Sequence, residues 1–94
     1  MEKRLVVVTT DNTRRGVFFG ALEKHEGDVC VLTDAQMAVY WSAETQGVLG
    51  LASIGPQKGS RITPIVPRIE LNGVTAVMDV TDAAAKVWRT QPWD

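Results

Sequence analysis

The sequence predicts a mainly β fold: a small rolled sheet or barrel of about six strands with a C-terminal α-helix. Three observations carry that expectation. Valine- and threonine-rich or alternating apolar segments recur at short spacing, separated by turn clusters. Gly16 and Gly20 fall inside one of these segments, as glycine does at bulges and sharp bends. An alanine-rich stretch opening on Thr81-Asp82 gives the C-terminal end helical composition.

The elements follow in order. Arg4 to Thr10 reads as a strand buried on both faces near Val6 to Val8. Asp11-Asn12-Thr13 is a turn cluster. Arg15 to Lys24 is the next strand, with Val17, Phe19 and Ala21 on one side and Phe18 and Leu22 on the other. His25-Glu26-Gly27-Asp28 makes a hairpin turn. Val29 to Leu32 returns, Thr33-Asp34 pinches the strand, and Gln36 to Trp41 continues it. Ser42 to Gly55 changes character: Ser42 is a candidate N-cap, and Val48, Leu49, Leu51 and Ala52 fit a short helical turn ended by Gly55-Pro56. Gly47 and Gly50 weaken that helix by about 1 kcal/mol each, and an ordered loop is the alternative. Arg61 to Val66 is extended, and Pro64 and Pro67 confine it to an edge. Arg68 to Leu71, Asn72-Gly73 and Val74 to Val80 read as a hairpin on a type I′ turn. Thr81 caps a last helix from Asp82 to about Arg89, docking through Val87 and Trp88 and stopped by Pro92. These bent strands resemble those of Sm-like and SH3-like barrels, a likeness of fold that carries no function.

Ninety-four residues make one domain, spanning 1–94. Apolar residues are 45% and charged residues 22%, an ordinary globular balance. A net charge of -1 and a pI near 5.7 argue against a generally basic nucleic-acid binder. The single cysteine, Cys30, rules out an internal disulfide. With one histidine beside it there is no set of ligands for a metal site, and no cofactor motif occurs. No apolar run approaches the roughly 20 residues that span a bilayer, so a cytoplasmic protein with no membrane partner is expected. A chain this short buries a modest core, and its three tryptophans favour completing burial by self-association.

Catalysis is not expected. His25 sits in a charged turn without a serine or second acid at suggestive spacing. Cys30 lies between Val29 and Val31, the setting of a buried, inert thiol. Glu23, Glu26 and Asp28 surround a turn, and Asp82 is explained as a helix-end charge.

Charge distribution is the unusual feature. No acid occurs between Glu44 and Glu70, whereas Lys58, Arg61 and Arg68 do, interleaved with Gly47, Gly50, Gly55 and Gly59. Glycines let backbone N–H groups converge on an anion, and arginine grips phosphate through parallel hydrogen bonds. The segment Gly55-Pro56-Gln57-Lys58-Gly59-Ser60-Arg61 is therefore a candidate anion-binding loop, although it lacks P-loop order. Its plain alternative is a solvated basic loop. Arg14-Arg15 forms a second basic pair, and Tyr40 and Trp41 supply flat rings on which a base would stack. The candidate ligand-binding set is thus Arg14, Arg15, Tyr40, Trp41, Lys58, Gly59, Ser60 and Arg61. The alternative has Trp41 in the core and Tyr40 at its rim. Trp88 is expected to close the core, and Trp93 to anchor a neighbouring subunit.

The segments Val7-Val8-Thr9-Thr10, Arg15-Gly16-Val17-Phe18-Phe19-Gly20, Ala38-Val39-Tyr40-Trp41-Ser42, Gly47-Val48-Leu49-Gly50-Leu51-Ala52, Gly55-Pro56, Arg61-Ile62, Val87-Trp88 and Pro92-Trp93 together resemble a family of small uncharacterised phage and prophage proteins. The resemblance spans nearly the whole chain and implies a cytoplasmic accessory protein of the infected host cell. Such proteins often act by binding. One class sequesters nucleotide immune signals as oligomeric sponges, an anti-defence role; another binds a host protein or nucleic acid. The expectation is a non-catalytic homo-oligomer that binds a small anionic ligand, most simply a nucleotide. A protein-interaction or structural module and a small-barrel nucleic-acid binder are the alternatives.

Overall fold

The structure, a computed structural model, describes residues 3–11 and 14–93, with the side chains of Asp11 and Arg14 left out. The turn expected at Asp11-Asn12-Thr13 thus lies outside the described residues. Six antiparallel strands and two helices follow one another: β1 (Arg4–Asp11), β2 (Arg14–Glu26), β3 (Val29–Tyr40), a 3₁₀ turn (Ala43–Thr45), α1 (Gly47–Ser53), β4 (Arg61–Ile62), β5 (Val66–Leu71), β6 (Val74–Asp79) and α2 (Asp82–Thr90). The sheet order is β4-β3-β2-β1-β6, and β5 also pairs with β3. β5 runs along Cys30 to Ala35 and β4 along Ala38 to Tyr40, so two short strands share one edge of a long one.

The valine run of β1 explains how the layers are filled. Side chains alternate across a strand. Val6 and Val8 join Val17, Phe19, Ala38 and Ile62 on the face covered by Leu51 and Ala52 of α1 and Ala85 and Trp88 of α2. Leu5 and Val7 join Cys30, Leu32, Ala35 and Leu71 on the other face, with Phe18, Leu22, Ile69, Val74 and Val77 around them. Helices cover the first face; the roll of the sheet itself covers the second. Trp88 locks the helical layer: its ring stacks on Phe19 with centroids 5.1 Å apart, and its Nε1–H donates to the Leu51 carbonyl at 2.9 Å. Thr81 caps α2 as expected, accepting from the Ala84 N–H at 3.0 Å, and its hydroxyl donates to the Ser53 carbonyl at 2.8 Å. One side chain thus caps one helix and ties it to the other.

Two local expectations are corrected. Asn72-Gly73 does not close a hairpin. β5 pairs with β3 and β6 with β1, at opposite edges of the sheet, and only these two residues join them. So short a link between two edges requires the sheet to roll until they meet at a corner. A type I′ turn needs positive φ at both central residues; only Gly73 has it, at 71°. The corner is held instead by the Thr10 N–H donating to the Gly73 carbonyl and the Val74 N–H donating to the Asp28 carbonyl. The pinch expected at Thr33-Asp34 is present within one continuous strand, β3. Asp34 takes φ 48°, and the register with β2 shifts there, so the pinch is a bulge that bends the strand without ending it. Second, Ser42 does not cap α1 through its side chain. It is buried, its N–H donates to Ser60 Oγ at 3.0 Å, and Gln46, at φ 66°, precedes the helix.

Candidate functional site

The candidate residues come from three places in the fold, and β4 brings part of them together. Its two residues pair with the end of β3 as Ala38↔Ile62 and Tyr40↔Arg61, with a register shift between them. Ala38 and Ile62 are buried in the core. Without the shift, Tyr40 would alternate back to that same inward face. The extra residue, Val39, makes a bulge that turns both Val39 and Tyr40 outward, and Tyr40 is 57% exposed. Directly opposed residues of an antiparallel pair share a face, with Cβ atoms about 5 Å apart. Tyr40 and the exposed Arg61 are therefore cross-strand neighbours.

On its other side Arg61 forms an antiparallel bridge to Trp93, which is 55% exposed. The row Tyr40–Arg61–Trp93 sets an arginine between two aromatic residues at the sheet edge. Val39, Tyr40, Gly59 and Arg61 line a shallow hollow of about 410 Å³ beside it.

The loop before β4 is braced from beneath. Pro56 and Ser60 are fully buried or nearly so. The Gln57 N–H donates to Thr45 Oγ1 at 2.9 Å, the Ser60 N–H donates to the Gln57 carbonyl at 3.1 Å, and Ser60 Oγ accepts from Ser42. The hydroxyl of Ser60 thus belongs to the framework of the loop. Lys58 and Gly59 stand exposed at its tip, and Gly59 holds φ 92°, a conformation that disfavours any side chain.

The remaining candidates do not line this hollow. Trp41 is half-buried and packs against the helical core cluster. It also lines a second small hollow with Val39 and Tyr40. Arg15 is exposed on β2 opposite Thr10 of β1. The β2–β3 ladder stops at Phe18↔Met37, so no strand pairing carries Arg15 to Tyr40. The role expected of the Arg14 side chain lies outside the described residues. Arg68, counted with the basic interval, pairs with Glu23 at 3.1 Å on the sheet surface.

The groups around the hollow are a phenol ring, a guanidinium and glycine backbone, which suit binding. His25 is exposed at the far end of β2, and Cys30 is wholly buried, its thiol pushed up by loss of hydration. Among the described residues no three His, Cys, Asp or Glu side chains gather as a metal site requires. No helix among them is long and apolar enough to cross a membrane.

The family profile described as Domain of unknown function (DUF6948) matches residues 3–88. The chain belongs to that family. No match was found among the curated proteins or among the solved structures. The matched span contains Tyr40, Lys58, Gly59 and Arg61 and stops short of Trp93. From the sequence, Trp93 suggests a cover for the end of a barrel or a subunit anchor. Its place beside Arg61 depends on a backbone bridge between segments more than thirty residues apart, for which the sequence holds no local signal.

Proposed function

We propose that this protein is a non-catalytic accessory protein that captures a small anionic, ring-bearing ligand, most simply a nucleotide, at the Tyr40–Arg61 edge. The observation that carries the reading is the Val39 bulge, which turns Tyr40 out of the core and beside Arg61. A bulge is a feature proteins use to re-aim a side chain. Arg61 and Lys58 supply charge for phosphate, Tyr40 supplies a stacking face, and Gly59 leaves room for close approach. Stacking on an aromatic ring is worth roughly 1–3 kcal/mol per base. The reading keeps the phage-type, cytoplasmic setting that the sequence resemblance implies. It also includes self-association, because a shallow hollow encloses a ligand only when a second surface covers it.

Thermal unfolding across a panel of linear and cyclic nucleotides tests the proposal. A ligand that binds only the folded state raises the melting temperature, and the stabilisation grows with the logarithm of ligand concentration over Kd. At least one nucleotide should raise it, and Arg61→Ala and Tyr40→Ala should each remove the rise while melting cooperatively. No rise across the panel with folded protein overturns the reading. A protein-interaction module is the second reading, favoured by Leu49, which is 73% exposed on α1. Nucleotide-independent capture of one protein, lost in Leu49→Glu, would select it.

A further inference from the structure

The outer strands of the sheet are protected unequally. An open strand edge offers unpaired N–H and C=O groups to any extended chain, and proteins blunt such edges with proline, charge or shortness. β4 has only two residues, and Trp93 bridges to its Arg61. β5 carries Pro67, which has no N–H to donate, and the exposed charges of Arg68 and Glu70. β6 has none of these devices: from Val74 to Met78 it holds neither proline nor charge. It pairs with β1 on one side, and among the described residues no strand lies on the other. Only its first residue is tied down, the Val74 N–H donating to the Asp28 carbonyl. From Ala76 to Asp79 its register with β1 runs without a shift, so this edge is regular.

The side chains point the same way. A strand with one solvated face alternates apolar and polar residues. β6 is apolar on both faces: Met78, opposite Val6, packs at the helical cluster, and Val77 packs at the rolled one. Both stay half-buried, and Ala76 is exposed beside them. A strand added on the open side would complete their burial. The edge that fits must itself be unblunted, and among the described strands β6 alone qualifies. We infer that β6 pairs antiparallel with β6 of a second copy, about a two-fold axis at Val77, joining two sheets into one. A two-fold interface sets one patch against itself, so like charges must not oppose each other. Centred on Val77, Met78 faces Ala76 of the second copy, and Asp79 faces Thr75. The two Asp79 residues then stand about 14 Å apart along the seam, beyond the screening length at physiological salt. Each also has Lys3 at 3.4 Å. The inference locates a self-association surface and does not rest on ligand binding at the Tyr40–Arg61 edge.

The test is sedimentation of the intact protein over a concentration series without nucleotide. The mass should rise to twice the 10.3 kDa of one chain. Ala76→Lys sets two lysines roughly 7 Å apart diagonally across the seam and should weaken the dimer at least about tenfold. Val66→Lys on the β5 edge and Leu49→Glu on α1 should leave it unchanged. If Ala76→Lys does not fold, hydrogen exchange of the native protein reads the same edge. Amides within Thr75–Asp79 should exchange at least about tenfold faster when the dimer is diluted apart, while those of Val6 and Val7 keep their protection. A single-chain mass up to about 0.5 mM, a dimer lost in Leu49→Glu or Val66→Lys but kept in Ala76→Lys, or β6 exchange indifferent to dilution would overturn the inference. So would an assembly larger than two chains, or a different protein seated on β6 in place of the second copy. A dimer that binds no nucleotide, or a monomer that does, separates this outcome from that of the proposed function.

Discussion

Gly50 lies inside α1, where alanine would raise helix propensity by about 1 kcal/mol. The helix packs so closely over the 3₁₀ turn that a methyl built on Gly50 overlaps the Thr45 carbonyl. Backbone cannot move aside as a flexible side chain can, so packing overrules propensity. Gly50→Ala should therefore destabilise by about 3 kcal/mol or more, read by urea unfolding; a gain would show that α1 is not seated as described. Gln36 makes the same point for a polar side chain. It is buried and serves two carbonyls and one guanidinium. Gln36→Ala leaves these without it and should cost about 2–4 kcal/mol in the same assay. Cys30 gives a pH dependence whose sign is fixed. Burial raises its thiol pKa, favouring the neutral form in the folded state. An unfolded thiol ionises near about 8.5, so this group's stabilisation is complete below that pH and lost as pH rises through the folded value. Unfolding free energy should fall on the alkaline side in the native sequence, and less steeply in Cys30→Ala.

Most elements were legible because their signals are local. The alternation of Val17, Phe18 and Phe19 assigns each to the correct face of β2, and the Thr81 cap begins α2 where the sequence places it. The Asn72-Gly73 corner was not legible. Asn-Gly is the strongest short signal for a hairpin, yet the flanking strands find better partners at opposite edges of the sheet. That choice depends on β3 being long enough to seat β5 and on the sheet rolling, neither of which is local. The two geometries differ at a single residue. In a type I′ hairpin both turn positions need positive φ, and both alanine variants would be costly. At the corner, Asn72→Ala should stay within about 0.5 kcal/mol, whereas Gly73→Ala should cost about 1–2 kcal/mol. The latter rests on the 71° φ of Gly73 and on a Cβ there lying 3.1 Å from the Thr10 carbonyl oxygen. Equal losses in the two variants would restore the hairpin.

At the scale of the molecule, the sequence marked Tyr40, Lys58, Gly59 and Arg61 by composition, and β4 gathers Tyr40, Gly59 and Arg61 around one hollow. The alternative that puts Trp41 in the core and Tyr40 at its rim agrees with the structure, while the Val39 bulge behind it comes from pairing with a two-residue strand and has no local signal. Nor could the sequence show that Trp93 flanks Arg61, or that Arg89 bonds to the buried Gln36 beside the segment where β4 and β5 part. The result is a scaffold whose β4 edge sets Tyr40 beside Arg61. The central claim concerns the edge. It is tested most directly by titrating isotope-labelled protein with a nucleoside monophosphate and following backbone amide resonances. Saturable movement centred on Tyr40, Gly59 and Arg61, weakening as salt is raised, is the predicted result. Amides at that edge that stay still while the nucleotide moves others, or a spectrum unchanged across purine and pyrimidine ligands, would contradict it.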